Sequence, residues 1–92
     1  MEFTAAWCIS CQATKKLVLD RQVVREAFAA DRVALLRADW TSRDPVITAE
    51  LARFGRNGVP LYLVYHPKQP LPLMLPELLT VDILLAALAD GR

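Results

Sequence analysis

The chain has 92 residues, of which 54% are hydrophobic and 23% are charged, a composition typical of one globular domain rather than a disordered segment. Eleven basic and ten acidic side chains leave a formal net charge of +1, so no overall field favours nucleic acid or an anionic lipid surface as a partner. The apolar runs are far shorter than the about 20 residues that span a bilayer, so we expect no direct membrane insertion of this chain.

Segments with strand and helix character alternate along the chain, without internal repeats or linkers. The predicted elements are a strand at 2–5, a helix at 8–19, a helix at 21–30 capped by Asp20, a strand at 32–38, a helix that starts at Asp44 and Pro45 and ends at Gly55, strands at 61–66 and 71–75, and a helix from Thr80 to Gly91. The strand at 32–38 has the continuous apolar character that parallel sheets bury on both faces. This order predicts a βαβ unit followed by a ββα unit, and hence an α/β fold.

Both cysteines of the chain, Cys8 and Cys11, lie in the stretch "FTAAWCISCQAT", where the first strand meets the first helix. A zinc site needs about four nitrogen or sulfur ligands, and the one histidine, His66, lies far along the chain. Covalent haem attachment requires a histidine where Gln12 stands. A structural disulfide that closes so short a loop removes little entropy from the unfolded chain. The residues therefore favour a redox-active dithiol, with a structural disulfide or half of a metal site as alternatives.

The position of Cys8 explains physically why a dithiol would lie there. A helix N-terminus offers unpaired N–H groups and the positive end of the helix dipole, which stabilise a thiolate. In such CxxC motifs the pKa of the first thiol falls from about 8.5 to between about 3.5 and 7.5. Cys11, one turn further on, is shielded but still reaches Cys8. We therefore expect Cys8 to attack a partner disulfide and Cys11 to resolve the product.

The segment "FTAAWCISC", followed by "GVP" at residues 58–60, resembles thioredoxin, with tryptophan before the first cysteine and a distant Val-Pro pair. More narrowly, residues 2–20, 36–65 and 75–80 are similar to the C-terminal thioredoxin-like domain of DsbD-type thiol:disulfide interchange proteins, including their ScsB-like relatives. The resemblance covers nearly the whole chain. It implies a thioredoxin-like fold, with a central mixed sheet flanked by helices.

The same resemblance implies a protein-disulfide reductase module in the periplasm, as part of an inner-membrane protein. Its dithiol would receive electrons from a membrane domain and pass them to a periplasmic acceptor domain, in a system that includes cytochrome c biogenesis. Its partners would be protein thiols and disulfides. No metal and no cofactor would be needed beyond the redox-active disulfide.

The resemblance also assigns roles to individual residues. It implies that Cys8 is the nucleophile, that Cys11 is the resolving thiol, and that Pro60 follows a cis peptide bond. Glu2 corresponds to an acidic residue six positions before the first cysteine, and we expect it to lie beneath the active-site helix and to accept the proton of Cys11. The residues expected to contact the partner or tune the exchange are Trp7, Ile9, Ser10, Val59 and Pro60.

The sequence departs from the family pattern near the dithiol. Ala6 replaces a frequent aspartate, and Gln12 is followed by Lys15 and Lys16. Fewer acids and more basic groups favour a thiolate, so we expect a redox potential that differs from that of relatives.

Trp40 and the charged residues around it are expected to form a loop and a solvated face.

The resemblance also leads to an expectation about the domain, and other functions remain as alternatives. Residues 1–92 would form a single domain that lacks the strand and helix with which the family's domain begins, so the strand at 32–38 would lie at an open sheet edge. The alternative functions are a binding or structural domain without redox turnover, and a disulfide oxidant or isomerase, since oxidants and reductants share this motif.

Overall fold

The computed structural model describes residues 1–89, in which four β-strands form one mixed sheet of order β2-β1-β3-β4. The strands are β1 (Glu2–Thr4), β2 (Arg37–Asp39), β3 (Leu61–Val64) and β4 (Leu73–Leu75). β1 pairs parallel with β2 and antiparallel with β3, which pairs antiparallel with β4. The predicted order of a βαβ unit and a ββα unit, and the α/β mixed sheet, are therefore confirmed.

Helices cover both faces of this sheet. They are α1 (Ile9–Thr14), which continues as a π-helical turn (Lys15–Leu19), then α2 (Gln22–Ala30), α3 (Pro45–Arg53) and α4 (Val81–Ala89). The π-helical turn, α2 and α4 pack on one face and α3 packs on the other. No helix within residues 1–89 has the length and hydropathy required to cross a bilayer.

The two larger apolar clusters of residues 1–89 lie one on each face of the sheet, and a smaller third cluster surrounds the cysteines. The buried residues of the first are Val18, Leu19, Val24, Tyr62, Leu75, Leu79, Leu84 and Ala87. Those of the second are Phe3, Ala38, Trp40, Leu51, Leu61 and Leu63. Because side chains alternate across a strand, Phe3 faces the second cluster while its neighbours Glu2 and Thr4 face the first. Glu2 thus lies on the face of the sheet that carries the π-helical turn.

The helix boundaries predicted from capping residues are confirmed for both ends of α3 and for the start of α4. The Asp44 carboxylate accepts hydrogen bonds from the N–H groups two and three residues further on, at 2.8 and 3.4 Å, with Pro45 in the first turn. Gly55 follows the helix with φ of +71°, a left-handed conformation that glycine adopts without strain. The Thr80 hydroxyl accepts from an N–H of the first turn of α4 at 3.1 Å. The predicted end of α4 at Gly91 lies outside the described residues.

The predicted cap at Asp20 is wrong, because α2 begins after Arg21, whose side chain makes no capping hydrogen bond. The N–H of Asp20 donates to the carbonyl of Lys15 at 2.7 Å and so closes the π-helical turn. Its carboxylate accepts from Arg25 at 3.3 Å. Asp20 therefore ends the preceding turn instead of starting the next helix.

The predicted strand at 32–38 is also wrong in its extent and in its burial. β2 runs only from Arg37 to Asp39, and of these residues only Ala38 is buried, while Leu35 and Leu36 are exposed. β1 has three residues and pairs with three residues of β2, so the apolar run before Arg37 has no strand beside it. β2 lies at the sheet edge, as expected.

Candidate active site

The two cysteines lie at the junction of β1 and α1 and form a disulfide with a Cα–Cα distance of 5.2 Å. Cys8 is the N-cap of α1 in an extended conformation, and its carbonyl accepts from the N–H of Gln12 at 3.1 Å. Its Sγ accepts from the N–H of Cys11 at 3.2 Å. The sulfur of Cys8 therefore takes the place of the capping oxygen that helix N-termini usually have.

The two sulfurs differ in their access to solvent. Cys11 is completely buried and Cys8 is 7% exposed. Cys8 is the more exposed of the two cysteines, as predicted. It is nevertheless less exposed than we expected, because Val59 and Ala5 pack against the disulfide. Cys8 is thus the more accessible of the two cysteines.

Ile9 and Ser10, between the cysteines, are both exposed, Ile9 to 87%. The Ser10 hydroxyl lies 3.5 Å from the Sγ of Cys8. Gln12, which the sequence marked only as a departure from relatives, donates from Nε2 to the carbonyl of Ala5 at 3.0 Å. This bond fastens the start of α1 to the loop that precedes it.

Val59 and Pro60 lie beside the dithiol although they are distant in sequence. The peptide bond between them is cis, as the resemblance implied. Pro60 is buried and Val59 is half-buried against Ala5, Cys8 and Cys11. The structure thus brings the Val-Pro pair to the edge of the disulfide.

Trp7 forms the other edge and is 47% exposed. Its Nε1 donates to the carbonyl of Thr41 at 3.0 Å, and the Thr41 Oγ1 accepts from the N–H of Ala6 at 2.8 Å. The Trp7 ring lies 5.8 Å from that of Trp40, centroid to centroid. The segment before the dithiol is therefore tied to the loop after β2.

The prediction that Trp40 belongs to a solvated face is wrong. Trp40 is 6% exposed, packs in the cluster with Leu51, and donates from Nε1 to the Thr48 hydroxyl at 2.8 Å. Its position next to charged residues in the sequence suggested exposure, but β2 ends directly before it and the ring turns under α3. Trp40 supports Trp7 from beneath.

Arg43 is a residue of this site that the sequence did not reveal. Its backbone has φ of +54°, and its guanidinium carbon lies 5.0 Å from the centroid of the Trp7 ring and 5.4 Å from that of the Trp40 ring. Such contacts are cation–π interactions. The only sequence signal was an arginine three residues after a tryptophan, which does not by itself indicate a left-handed residue.

Asp39 anchors the same loop. Its Oδ1 accepts from the N–H of Thr41 at 2.9 Å and also from the Thr41 hydroxyl. These hydrogen bonds to Thr41 lower the pKa of Asp39 below its ordinary value. The carboxylate therefore stays ionised at neutral pH and holds Thr41 in the position that binds Trp7 and Ala6.

Glu2 is 1% exposed, which confirms its expected burial under the helices. Its Oε1 accepts from the Nε of Arg37 at 2.7 Å, an ion pair that the sequence did not predict. Its Oε2 is buried, and no hydrogen-bond partner for it lies in the described part of the chain. Burial raises the pKa of the neighbouring Tyr62, and the Glu2 charge adds to that rise. The ion pair with Arg37 therefore engages only one of the two carboxylate oxygens of Glu2.

Within residues 1–89 no group of three or more histidine, cysteine, aspartate or glutamate side chains is placed to hold a metal ion. The chemistry offered by the site is that of a disulfide and its dithiol. A thiolate at Cys8 would accept a hydrogen bond from the N–H of Cys11. The buried sulfur of Cys11 lies within bonding distance of the Cys8 sulfur. This is an arrangement for thiol–disulfide exchange.

The sheet, the dithiol at the start of α1 and the cis proline beside it define a thioredoxin-like thiol:disulfide exchange domain. The family model described as Thioredoxin-like matches residues 1–67, and the chain belongs to this family. Within it, the chain is a DsbD-type domain, as the following similarities to solved structures and a curated protein show.

The structure is similar to the DsbD C-terminal domain of Neisseria meningitidis in both redox forms. The reduced form has a TM-score of 0.77 and 25% sequence identity, and the oxidised form has a TM-score of 0.72 and 26% identity. Each comparison covers 99% of this chain and 77% of the solved domain. The predicted thioredoxin-like fold is thereby confirmed.

Among curated proteins, the thiol:disulfide interchange protein DsbD 1 of Pseudomonas aeruginosa is 34% identical over 67 residues, which is 73% of this chain. The matched part is 11% of the length of that protein. Together with the Cys8–Cys11 disulfide, these similarities support thiol:disulfide oxidoreductase activity for the chain.

Proposed function

We propose that the chain is a protein-disulfide reductase module that relays electrons between partner proteins through the Cys8–Cys11 dithiol. The observation that carries this proposal is the disulfide at the start of α1, with its Cys8 sulfur at a helix N–H group and the Val59–Pro60 edge beside it. Similarity to DsbD C-terminal domains supports the direction of electron flow.

The exchange proceeds in two balanced steps. The Cys8 thiolate attacks one sulfur of a partner disulfide, which forms a mixed disulfide and releases the partner's other sulfur as a thiolate. Cys11 then loses its proton and attacks the Sγ of Cys8, which forms the Cys8–Cys11 disulfide, breaks the bond between Cys8 and the partner, and releases the partner's second sulfur as a thiolate. Both partner thiolates take their protons from water. The partner gains two electrons, and the proton of Cys11 passes to Glu2. Trp7, Ile9, Ser10, Val59 and Pro60 contact the partner during these steps.

The partners in this proposal are protein thiols and disulfides, with a membrane domain as electron donor and a periplasmic domain as acceptor. The module lies in the periplasm as part of an inner-membrane protein, and its electrons serve periplasmic thiols, including those of cytochrome c biogenesis. It requires no cofactor beyond its own disulfide. The similarity to DsbD proteins supports the class of partner and the location.

A glutathione redox titration tests the proposal. We expect a potential nearer that of thioredoxin, about −270 mV, than that of the oxidant DsbA, about −120 mV. A value near the latter would make the chain an oxidant. A titration of the reduced Cys8 thiol tests turnover itself, because a pKa near the ordinary value of about 8.5 would favour a binding or structural domain instead.

A further inference from the structure

The loop that follows β2 places a cation beside the dithiol. Arg43 adopts φ of +54°, a left-handed conformation that is uncommon for residues other than glycine. The turn is closed by a hydrogen bond from the N–H of Arg43 to the carbonyl of Trp40 at 2.9 Å. As a result the guanidinium lies against the rings of both Trp7 and Trp40, at 5.0 and 5.4 Å from their centroids.

The charge of Arg43 is not neutralised by a carboxylate of the described chain. Among residues 1–89 the ion pairs within 4.0 Å involve the arginines at 25, 37, 53 and 56. The two acids that flank this loop are engaged elsewhere, since Asp39 accepts from Thr41 and Asp44 caps α3. Arg43 therefore presents a cation whose hydrogen-bonding groups remain open to solvent.

This cation lies at the rim of the surface that a partner must approach. Trp7, which the guanidinium contacts, directly precedes Cys8 and is fixed by its bond to Thr41. A guanidinium held against aromatic rings keeps its edge free, and that edge fits the two oxygens of a carboxylate. Both rings also restrict the side chain, so less conformational entropy is lost when an anion binds.

We propose that Arg43 is a specificity-determining residue for thiol exchange, which pairs with an acidic side chain next to the disulfide cysteine of the partner. The inference rests on the proposed function and deepens it. The sulfur chemistry is unchanged: Cys8 forms the bond to the partner, and Arg43 takes part in no bond that forms or breaks. Exposed ion pairs contribute up to about 1 kcal/mol, which corresponds to a preference of up to about fivefold for an acidic partner.

The test uses two disulfide peptides that differ only in having aspartate or lysine beside the cystine. The rate constant for their reduction by the reduced protein is measured at low and at high salt. The unmodified protein should reduce the acidic peptide about two to five times faster, and salt should diminish the ratio. Arg43→Lys should keep part of the preference, and Arg43→Glu should reverse it. A ratio of one for the unmodified protein would overturn the inference.

Arg32 provides a matched control, because it is exposed and has nearly the same left-handed backbone, with φ of +56°. Arg32→Glu changes the net charge by the same amount as Arg43→Glu. Arg32 itself follows α2, away from Trp7. The Arg32→Glu substitution should leave the ratio unchanged, and a reversal as large as that of Arg43→Glu would show that net charge, not Arg43, determines the preference.

A small neutral disulfide separates this inference from the proposed function. If the unmodified protein fails to reduce it, the proposed function fails. If reduction is normal and the peptide ratio is one, only the role of Arg43 is wrong. A structural role for Arg43 would slow both peptides equally in Arg43→Lys and Arg43→Glu, and that result would also overturn the inference.

Discussion

The Nε of Arg37 donates to the Oε1 of Glu2 at 2.7 Å, across two strands in which these residues are direct partners in the parallel register. The Glu2 side chain is 1% exposed and that of Arg37 is 40% exposed. The guanidinium thus connects a buried carboxylate with solvent and compensates for its lost hydration. This pair stabilises the strand beneath the active-site helix, and Oε2 of Glu2 has no hydrogen-bond partner among residues 1–89.

The two members of the pair should differ in their effects on stability. Arg37→Met leaves a buried carboxylate without its cation, and we expect a loss of about 1–3 kcal/mol in the free energy of unfolding. Glu2→Gln leaves a cation that water can reach and retains an oxygen that can accept from Arg37, so the loss should be smaller. Urea unfolding of both variants measures the difference. Equal losses would show that the buried charge is not the reason for the pair.

Glu2→Gln should also slow thiol exchange. If Oε2 accepts the proton of Cys11, resolution near neutral pH should slow by about tenfold or more, and the pH dependence of the rate should change shape. Stopped-flow measurement of the rate from pH 5 to pH 9 tests this, with the unfolding curve as evidence that the fold is intact. An unchanged pH-rate profile would leave Glu2 a purely structural role.

Tyr62 should determine part of the loss of stability at high pH. Burial raises its pKa above the ordinary value of about 10, the Glu2 charge adds to the rise, and Thr14 partly offsets it. The unfolded state therefore loses the Tyr62 proton first. The contribution of Tyr62 is fully present below about pH 10 and is lost as the pH rises through its folded pKa.

Tyr62→Phe tests this linkage. Its hydroxyl is buried and has no partner of normal hydrogen-bond geometry within the described residues, so its removal should change stability at pH 7 by less than about 1 kcal/mol. Above pH 10 the decline in the free energy of unfolding should become shallower than in the unmodified protein. An identical slope would mean that Tyr62 does not titrate with unfolding.

Much of the fold could be predicted because it depends on local signals. Asp44 and Thr80 each precede a segment with helical spacing of apolar residues, and such capping residues mark the start of a helix. The order of the elements then limits the possible sheet topologies. The length of β2 could not be predicted, since a run of apolar residues shows burial but not how far a partner strand extends. Asp20 failed as a cap because the sequence does not distinguish the end of a π-helical turn from the start of a helix.

The site also has features that the sequence predicts and features that only the structure shows. The pairing of Cys8 with Cys11 and the cis peptide bond before Pro60 were predicted correctly, because the motif fixes the spacing of the cysteines and the resemblance implies the cis bond. The contacts of Arg43 depend on one left-handed residue, and the pair of Glu2 with Arg37 depends on strand register. Neither is a property of local composition, so both required the folded chain.

The open edge of β2 leads to a prediction about association. Within residues 1–89, backbone groups on one side of β2 have no strand partner, and Leu36 beside them is 61% exposed. Such edges promote pairing with a second copy. We expect concentration-dependent association in sedimentation velocity, and Leu36→Lys should weaken it. Leu78→Lys changes an exposed leucine that follows β4, the strand at the opposite edge of the sheet, and is the control. A monomer at all concentrations would contradict the prediction.

The last prediction concerns which sulfur attacks. Cys8 receives the N–H of Cys11 and is the more exposed of the two, whereas Cys11 is fully buried. Cys11→Ser should therefore keep the nucleophile and lose the resolving thiol, so a mixed disulfide with an oxidised partner accumulates. Cys8→Ser should abolish both turnover and the trapped complex, because Cys11 has neither access nor a helix N–H group at its sulfur. Non-reducing electrophoresis of both variants measures the adduct. Trapping by Cys8→Ser but not by Cys11→Ser would reverse the two roles.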